Sequence, residues 1–211
     1  AKKLLMEKKL SRLLIHTLSI LPALWIGWQI WLWYSFLPHE LSANPIEYIT
    51  DFTGNWTIRF LLLTLSITPL VKLTKWRLLK YRRAIGLYAF LYGLLHFLNY
   101  MMLDYFFNWS LIIEDVLKRP AITFGMAGFA MLVILAITSF KFTKIKLGKN
   151  WTKLHQLIYI LAISVTVHNY MMVKADVLIP LIHATILSIL LLYRLYLNWS
   201  KRRERAKRQL A

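Results

Sequence analysis

The residues in this chain best suited to chemistry are histidines set in apolar surroundings. The stretch "KLHQLIYILAISVTVHNYMM" (residues 153–172) carries two of them, His155 and His168. His16 and His96 sit in similar runs, His183 lies in a later one, and His39 falls in a polar connection. A neutral imidazole is a hydrogen-bonding group, a proton relay and a strong metal ligand. In hydrocarbon such a group is costly and marks a functional position by default. The plain alternative is a ring bonded to a backbone carbonyl, and it stays open for His16 and His183.

Spacing sharpens the choice. His96 lies 13 residues after Arg83, roughly 20 Å of helix. His168 lies 15 residues after Lys153, roughly 22 Å. Two helices running in one direction from a basic flank thus hold an imidazole at matching depth. A planar metal macrocycle between parallel helices needs that arrangement, one nitrogen on each side, and imidazole is a common axial ligand of haem iron. His155 and His16 share a second, shallower level. They are candidates for a second axial pair, or one of them works alone. His155 and His168 are 13 residues apart, about 220° of rotation, so they do not share a face unless the helix bends or winds unevenly.

The elements that position these rings are long apolar helices. Of 211 residues 58% are hydrophobic, mean hydropathy is +0.51, and apolar residues come in blocks long enough to cross a bilayer. The reading is an all-α integral membrane protein, a six-transmembrane-helix bundle with spans at 11–36, 56–73, 84–106, 121–140, 153–173 and 177–198. Residues 1–10 form a cytoplasmic basic arm, 11–198 the transmembrane domain and 199–211 a cytoplasmic basic tail. The basic N-terminus precedes an apolar run with no small-residue cleavage site, so it reads as a retained span rather than a signal peptide. No cysteine is present, which excludes disulfides, thiolate ligands and iron–sulfur clusters.

The net charge of +18 invites a nucleic-acid reading, but its distribution argues for a membrane. Of 27 basic residues, 23 fall on alternate connections: the N-terminal arm, residues 72–83, residues 141–153 and the stretch from Arg194 onward. The other connections hold only Arg59, Lys118, Arg119 and Lys174, with seven of the nine acids. The positive-inside rule then puts both termini in the cytoplasm. Four Asn-Trp-[Ser/Thr] triplets, at 55, 108, 150 and 198, read as span boundaries, with Trp at the headgroup level and Asn capping a helix. Pro22 should kink the first span.

Three stretches carry a family resemblance: "DFTGNWTIRFLLLTLSITPL" (51–70), "RRAIGLYAFLYGLLH" (82–96) and "LGKNWTKLHQLIYI" (147–160). In order and spacing the chain resembles the MsrQ (YedZ) family of haem-binding membrane subunits, within the ferric-reductase-like transmembrane superfamily. The resemblance implies a b-type cytochrome of the bacterial inner membrane. It would carry electrons from a cytosolic flavin reductase or membrane quinol to an MsrP-like periplasmic molybdopterin enzyme that repairs oxidised methionine. It implies haem b, one or two, with His96, His155 and His168 as the candidate iron ligands; His16 is a weaker candidate, by its depth alone. It also implies FMN, for which no motif gives a place. Superfamily members with two haems carry two histidines on each of two helices. Here the position about 14 residues before His96 holds Arg82 and Arg83, which either pair with propionate or phosphate or set topology. The chain stops soon after its last span, so electrons are expected from a separate donor. The acids of the connections at 38–55 and 107–120 are candidates for docking the periplasmic partner. The competing readings are a proton-relay transporter, a cofactor-free assembly subunit and a stand-alone ferric or quinone reductase.

Overall fold

In the computed structural model residues 2–173 and 176–210 are described, with side chains from 9 to 173 and from 176 to 209. Lys174 lies outside them, as do the side chains of Lys2, Lys3 and Lys8. Every regular element among the described residues is helical: α1 (Lys2–Tyr34), α2 (Pro45–Thr74), α3 (Arg82–Asn99), α4 (Trp109–Lys118), α5 (Pro120–Ile137), α6 (Lys141–Leu147), α7 (Asn150–Leu154), α8 (Leu157–Met172) and α9 (Leu178–Leu210). A 3₁₀ turn (Leu78–Tyr81) leads into α3, and a π-helical turn (Tyr100–Asp104) follows it.

Local chemistry sets the ends of these helices. Asn44 accepts a hydrogen bond from the Glu47 amide at 3.3 Å, and its own side-chain amide donates to the Glu47 carboxylate at 3.0 Å. With Pro45 at the first helical position this is a reciprocal cap, and α2 starts eleven residues before the expected 56. The connection expected at 38–55 is therefore largely helix. Asn108 caps α4 in the same way, accepting from the Leu111 amide at 3.3 Å. The connection expected at 107–120 thus holds an amphipathic helix. Of the four Asn-Trp triplets, the one at 108 begins a helix with a cap and the one at 150 opens α7. Those at 55 and 198 lie inside α2 and α9, so no helix begins or ends there and the capping part of the reading fails. The domain boundaries drawn at 10/11 and 198/199 likewise fall inside the continuous helices α1 and α9.

Five helical segments are long and apolar enough to cross a membrane: Lys9–Tyr34, Pro45–Thr74, Leu78–Asp104, Pro120–Ile137 and Leu178–Gln209. The chain is a membrane protein, and many large apolar side chains face outward, among them Leu18, Leu24, Ile163, Ile189 and Leu192. The stretch expected to form the fifth span is divided. A turn at His155–Gln156 separates α7 from α8, and α8 itself has 16 residues.

Helix α2 packs along α3, α5 packs along α8, α9 lies against α2 and α8, and α1 touches α3. The core lies where these meet, around Leu61, Leu65, Ala89, Tyr92, Leu132 and Leu161. Two glycines allow the close approach: a β-carbon on Gly93 would lie 2.7 Å from Leu132, and one on Gly128 2.6 Å from Val165. Small residues at such crossings replace the hydrophobic drive that is missing between helices in lipid.

Tyrosines of α3 and of the 3₁₀ turn before it dock α1. Tyr81 bonds the Ser11 hydroxyl at 2.5 Å, and Tyr88 meets His16 Nδ1 at 3.0 Å. Tyr92 goes further: its hydroxyl accepts from the Ala23 amide at 2.9 Å and donates to the Ser19 carbonyl at 2.8 Å. Those two groups are one i→i−4 pair of α1, beside Pro22. A phenol is thus inserted in the helix ladder where the proline already weakens it.

Candidate functional site: two imidazoles across a cavity

His96 comes from the last turn of α3 and His168 from α8, and their ring centroids are 6.0 Å apart with planes at 75°. Each ring is fixed through Nδ1. His96 Nδ1 lies 2.9 Å from the Thr50 carbonyl of α2, and His168 Nδ1 lies 2.7 Å from the Ala121 carbonyl of α5. A carbonyl can only accept, so the Nδ1 atoms carry the protons and both Nε2 atoms keep their lone pairs. A backbone carbonyl on one nitrogen is the usual partner of an imidazole whose other nitrogen binds metal.

Each ring also rests on a helical glycine. A β-carbon on Gly54 would stand 3.1 Å from His96 Nδ1, and one on Gly125 would stand 2.8 Å from His168 Nδ1. Any larger residue would push the ring. Sequence reasoning missed both glycines. The available signal was a glycine inside a helical pattern, which often marks close approach.

The rings border a cavity of about 500 Å³ between α2, α3, α5 and α8. Its lining changes character along the helices. Toward the bundle middle stand Ile58, Phe129, Leu132 and Val165; toward the other end stand Thr50, Asp51, Tyr100, Asp104, Tyr105 and Arg119. The side-chain oxygens of Asn55 and Asn169, which also line it, are buried without a hydrogen-bond partner.

These features allow a test of fit. An iron held by two imidazole nitrogens at about 2 Å each puts the ring centroids about 6 Å apart. Among the described residues no group of three or more His, Cys, Asp or Glu is placed to hold a metal ion. Two imidazoles suit a metal that brings four equatorial nitrogens of its own, and an unpartnered polar rim suits a group with a polar edge. The residues fit a haem.

At the basic end the arrangement differs. His155 is the C-cap of α7, and its Nε2 lies 3.1 Å from the Thr138 hydroxyl. That hydroxyl directs its single proton to the Ile134 carbonyl at 2.7 Å, so His155 Nε2–H is the donor. Its tautomer is the opposite of that in His96 and His168. Trp151 stacks on the His155 ring at 4.1 Å and donates to the Thr138 carbonyl at 2.8 Å. The turn at His155–Gln156 divides the two histidines between α7 and α8, so they do not lie on one continuous helix. Arg82 is close enough to act electrostatically on His155, and Arg83 lies over Phe140 at 5.9 Å. His16 meets Tyr88 rather than His155. His183 is buried with Nδ1 unpartnered, near Arg59, and His39 accepts from the Leu41 amide in its loop at 3.2 Å.

Arg194, assigned from sequence to the basic tail, is part of the bundle. It donates to the Tyr159 hydroxyl at 2.6 Å and to the Leu65 carbonyl at 2.7 Å. An arginine sixteen residues into an apolar helix binds inward because it has no water to face.

The family model described as "Ferric reductase like transmembrane component" matches residues 53–166; His96 and His155 lie within it and His168 just beyond. A protein-methionine-sulfoxide reductase heme-binding subunit MsrQ from Xanthomonas oryzae pv. oryzae is 40% identical over 94% of this chain and 91% of its own length. The subunit of the same name from Brucella ovis is 43% identical over 92% of this chain and 86% of its own. No solved structure matches the chain. Likeness of this extent is decisive: the chain belongs to the ferric-reductase-like transmembrane family and, within it, to the MsrQ group.

Proposed function

We propose that this chain is the b-type cytochrome subunit of a protein-methionine-sulfoxide reductase system in the bacterial inner membrane. The observation that carries the reading is the His96–His168 pair, ring centroids 6.0 Å apart, each ring bonded through Nδ1 to a backbone carbonyl so that Nε2 keeps its lone pair. The names of its relatives, heme-binding subunits of such a reductase, agree with it.

Haem b, when bound, would supply a one-electron carrier. The chain's own residues do the rest. His96 and His168 would hold the metal, and the Thr50 and Ala121 carbonyls fix the orientation of their rings. Ile58, Phe129, Leu132 and Val165 make a dry wall that limits reorganisation. We read α8, with the turn and α7 before it, as a sixth crossing packed against α5 and α9, with both termini in the cytoplasm by the placement of the basic residues. Electrons then enter at the basic end, near His155, Arg82 and Arg83, from a cytosolic flavin reductase or from quinol. They leave at the acidic end, toward a periplasmic MsrP-like molybdopterin reductase.

The test is reconstitution in liposomes with such a reductase outside and a donor, either flavin reductase with nicotinamide or quinol, supplied to the chain. Consumption of methionine sulfoxide should require this chain and should fail in the His96→Ala and His168→Ala variants. Full turnover in either variant overturns the proposal. Reduction of ferric iron or quinone at the same rate without the periplasmic enzyme would favour a stand-alone reductase.

A further inference from the structure

The cavity has one polar end and one apolar end, and its charges are few. Among its lining residues Arg119 is the one lysine or arginine, against the carboxylates Asp51 and Asp104. Arg119 follows α4 and precedes Pro120, so a tight corner fixes its backbone. Its side chain is held as well. Nη1 donates to Asp115 at 3.1 Å, and that buried carboxylate also accepts from the Tyr100 hydroxyl at 3.0 Å. Nη2 meets the Met172 sulfur, a weak acceptor, at 4.0 Å, and the Tyr105 hydroxyl also lies against the guanidinium. A guanidinium carries five N–H donors, so this one is anchored on one side and keeps donors for another partner on the side of the cavity.

We propose that Arg119 receives the carboxylate edge of the bound macrocycle. This rests on the haem reading above. A haem has two carboxylates on one edge and hydrocarbon substituents elsewhere. The apolar residues toward the bundle middle suit the hydrocarbon, and the polar end must take the carboxylates. Asp51 and Asp104 would repel them there, so a cation has to offset that repulsion. Arg119 is the cation in place, and an arginine fork matches a carboxylate in shape as well as charge. Asp115 and Tyr100 act as positioning residues, keeping the guanidinium at the rim. The proposal sets the orientation of the macrocycle: its carboxylate edge points to the acidic end of the bundle.

The test compares haemin with haemin dimethyl ester, whose edge is neutral, on the full-length apoprotein in detergent. Affinity is read by titration and by the rate of haem loss to an acceptor globin, for wild type, Arg119→Gln and Arg119→Lys. Arg119→Gln should weaken haemin binding about tenfold, since the arginine is half exposed and its pairing is partly screened. The same variant should bind the ester as wild type does, and Arg119→Lys should fall between. Equal losses with both ligands, or no loss with haemin, overturn the role of Arg119. The ester arm guards against a folding defect, which would weaken both. Wild type that binds haemin with two imidazoles but shows no such difference sinks this inference alone. Wild type that takes up no haemin sinks the haem reading and this inference with it.

Discussion

Replacing Gly125 by alanine is a one-methyl test of how closely the site is built. The new β-carbon would stand 2.8 Å from Cε1 and Nδ1 of His168. Comfortable contact between such atoms is about 3.5 Å, so the ring has to retreat by roughly 0.7 Å. Metal–ligand bonds tolerate about 0.2 Å. The retreat also strains the 2.7 Å bond from Nδ1 to the Ala121 carbonyl. Helix stability should move the other way. Alanine is favoured over glycine in a helix by about 1 kcal/mol, and overpacking costs about 1–3 kcal/mol, so the apoprotein should lose no more than about 2 kcal/mol. Gly125→Ala should therefore lose the low-spin haem signal while keeping helicity and most of its thermal stability in detergent. Gly54→Ala, with its nearest ring atom at 3.1 Å, should lose less. Gly27→Ala, which meets nothing within 4 Å, should leave haem binding untouched. Visible spectra with haem per chain, beside circular dichroism melts, read all three. A Gly125→Ala protein with the wild-type low-spin spectrum and full haem content would refute the reasoning.

Other perturbations follow from single contacts. Tyr92→Phe removes the hydroxyl from the α1 ladder and should cost about 1–3 kcal/mol, seen as faster hydrogen exchange around Ala23. Thr138→Val takes away the acceptor of His155 Nε2–H; it should alter the basic-end site, measured by haem content and donor-driven reduction, and leave the His96–His168 spectrum unchanged. Arg194→Leu leaves the Leu65 carbonyl and the Tyr159 hydroxyl without their partner, an expected loss of about 1–3 kcal/mol in thermal or denaturant unfolding.

Much of this architecture could be read before any coordinates. Apolar blocks give the long helices, because lipid demands internally bonded backbone. Equal rise from a basic flank placed His96 and His168 at one depth, and the structure brings their ring centroids to 6.0 Å of each other. What stayed hidden has a physical cause. Glu47, Asp51, Asn55 and Arg59 recur every four residues, so α2 carries a polar stripe along one face. Averaged hydropathy mistakes that stripe for a loop. The buried role of Arg194 depends on a carbonyl of α2, far away in sequence. The glycine cradles need two helices at once, since Gly54 matters only because His96 leans on it. The tautomer of His155 depends on where Thr138 directs one proton.

The central claim is that two imidazoles hold one iron between α3 and α8. Low-temperature electron paramagnetic resonance of the ferric protein, with haem counted per chain, tests it most directly. Ring planes at 75° predict a strongly anisotropic low-spin signal, the kind given by nearly perpendicular axial imidazoles, and its loss in both His96→Ala and His168→Ala. Persistence of that signal in either variant, or no haem in wild type expressed with ample haem supply, would contradict the account.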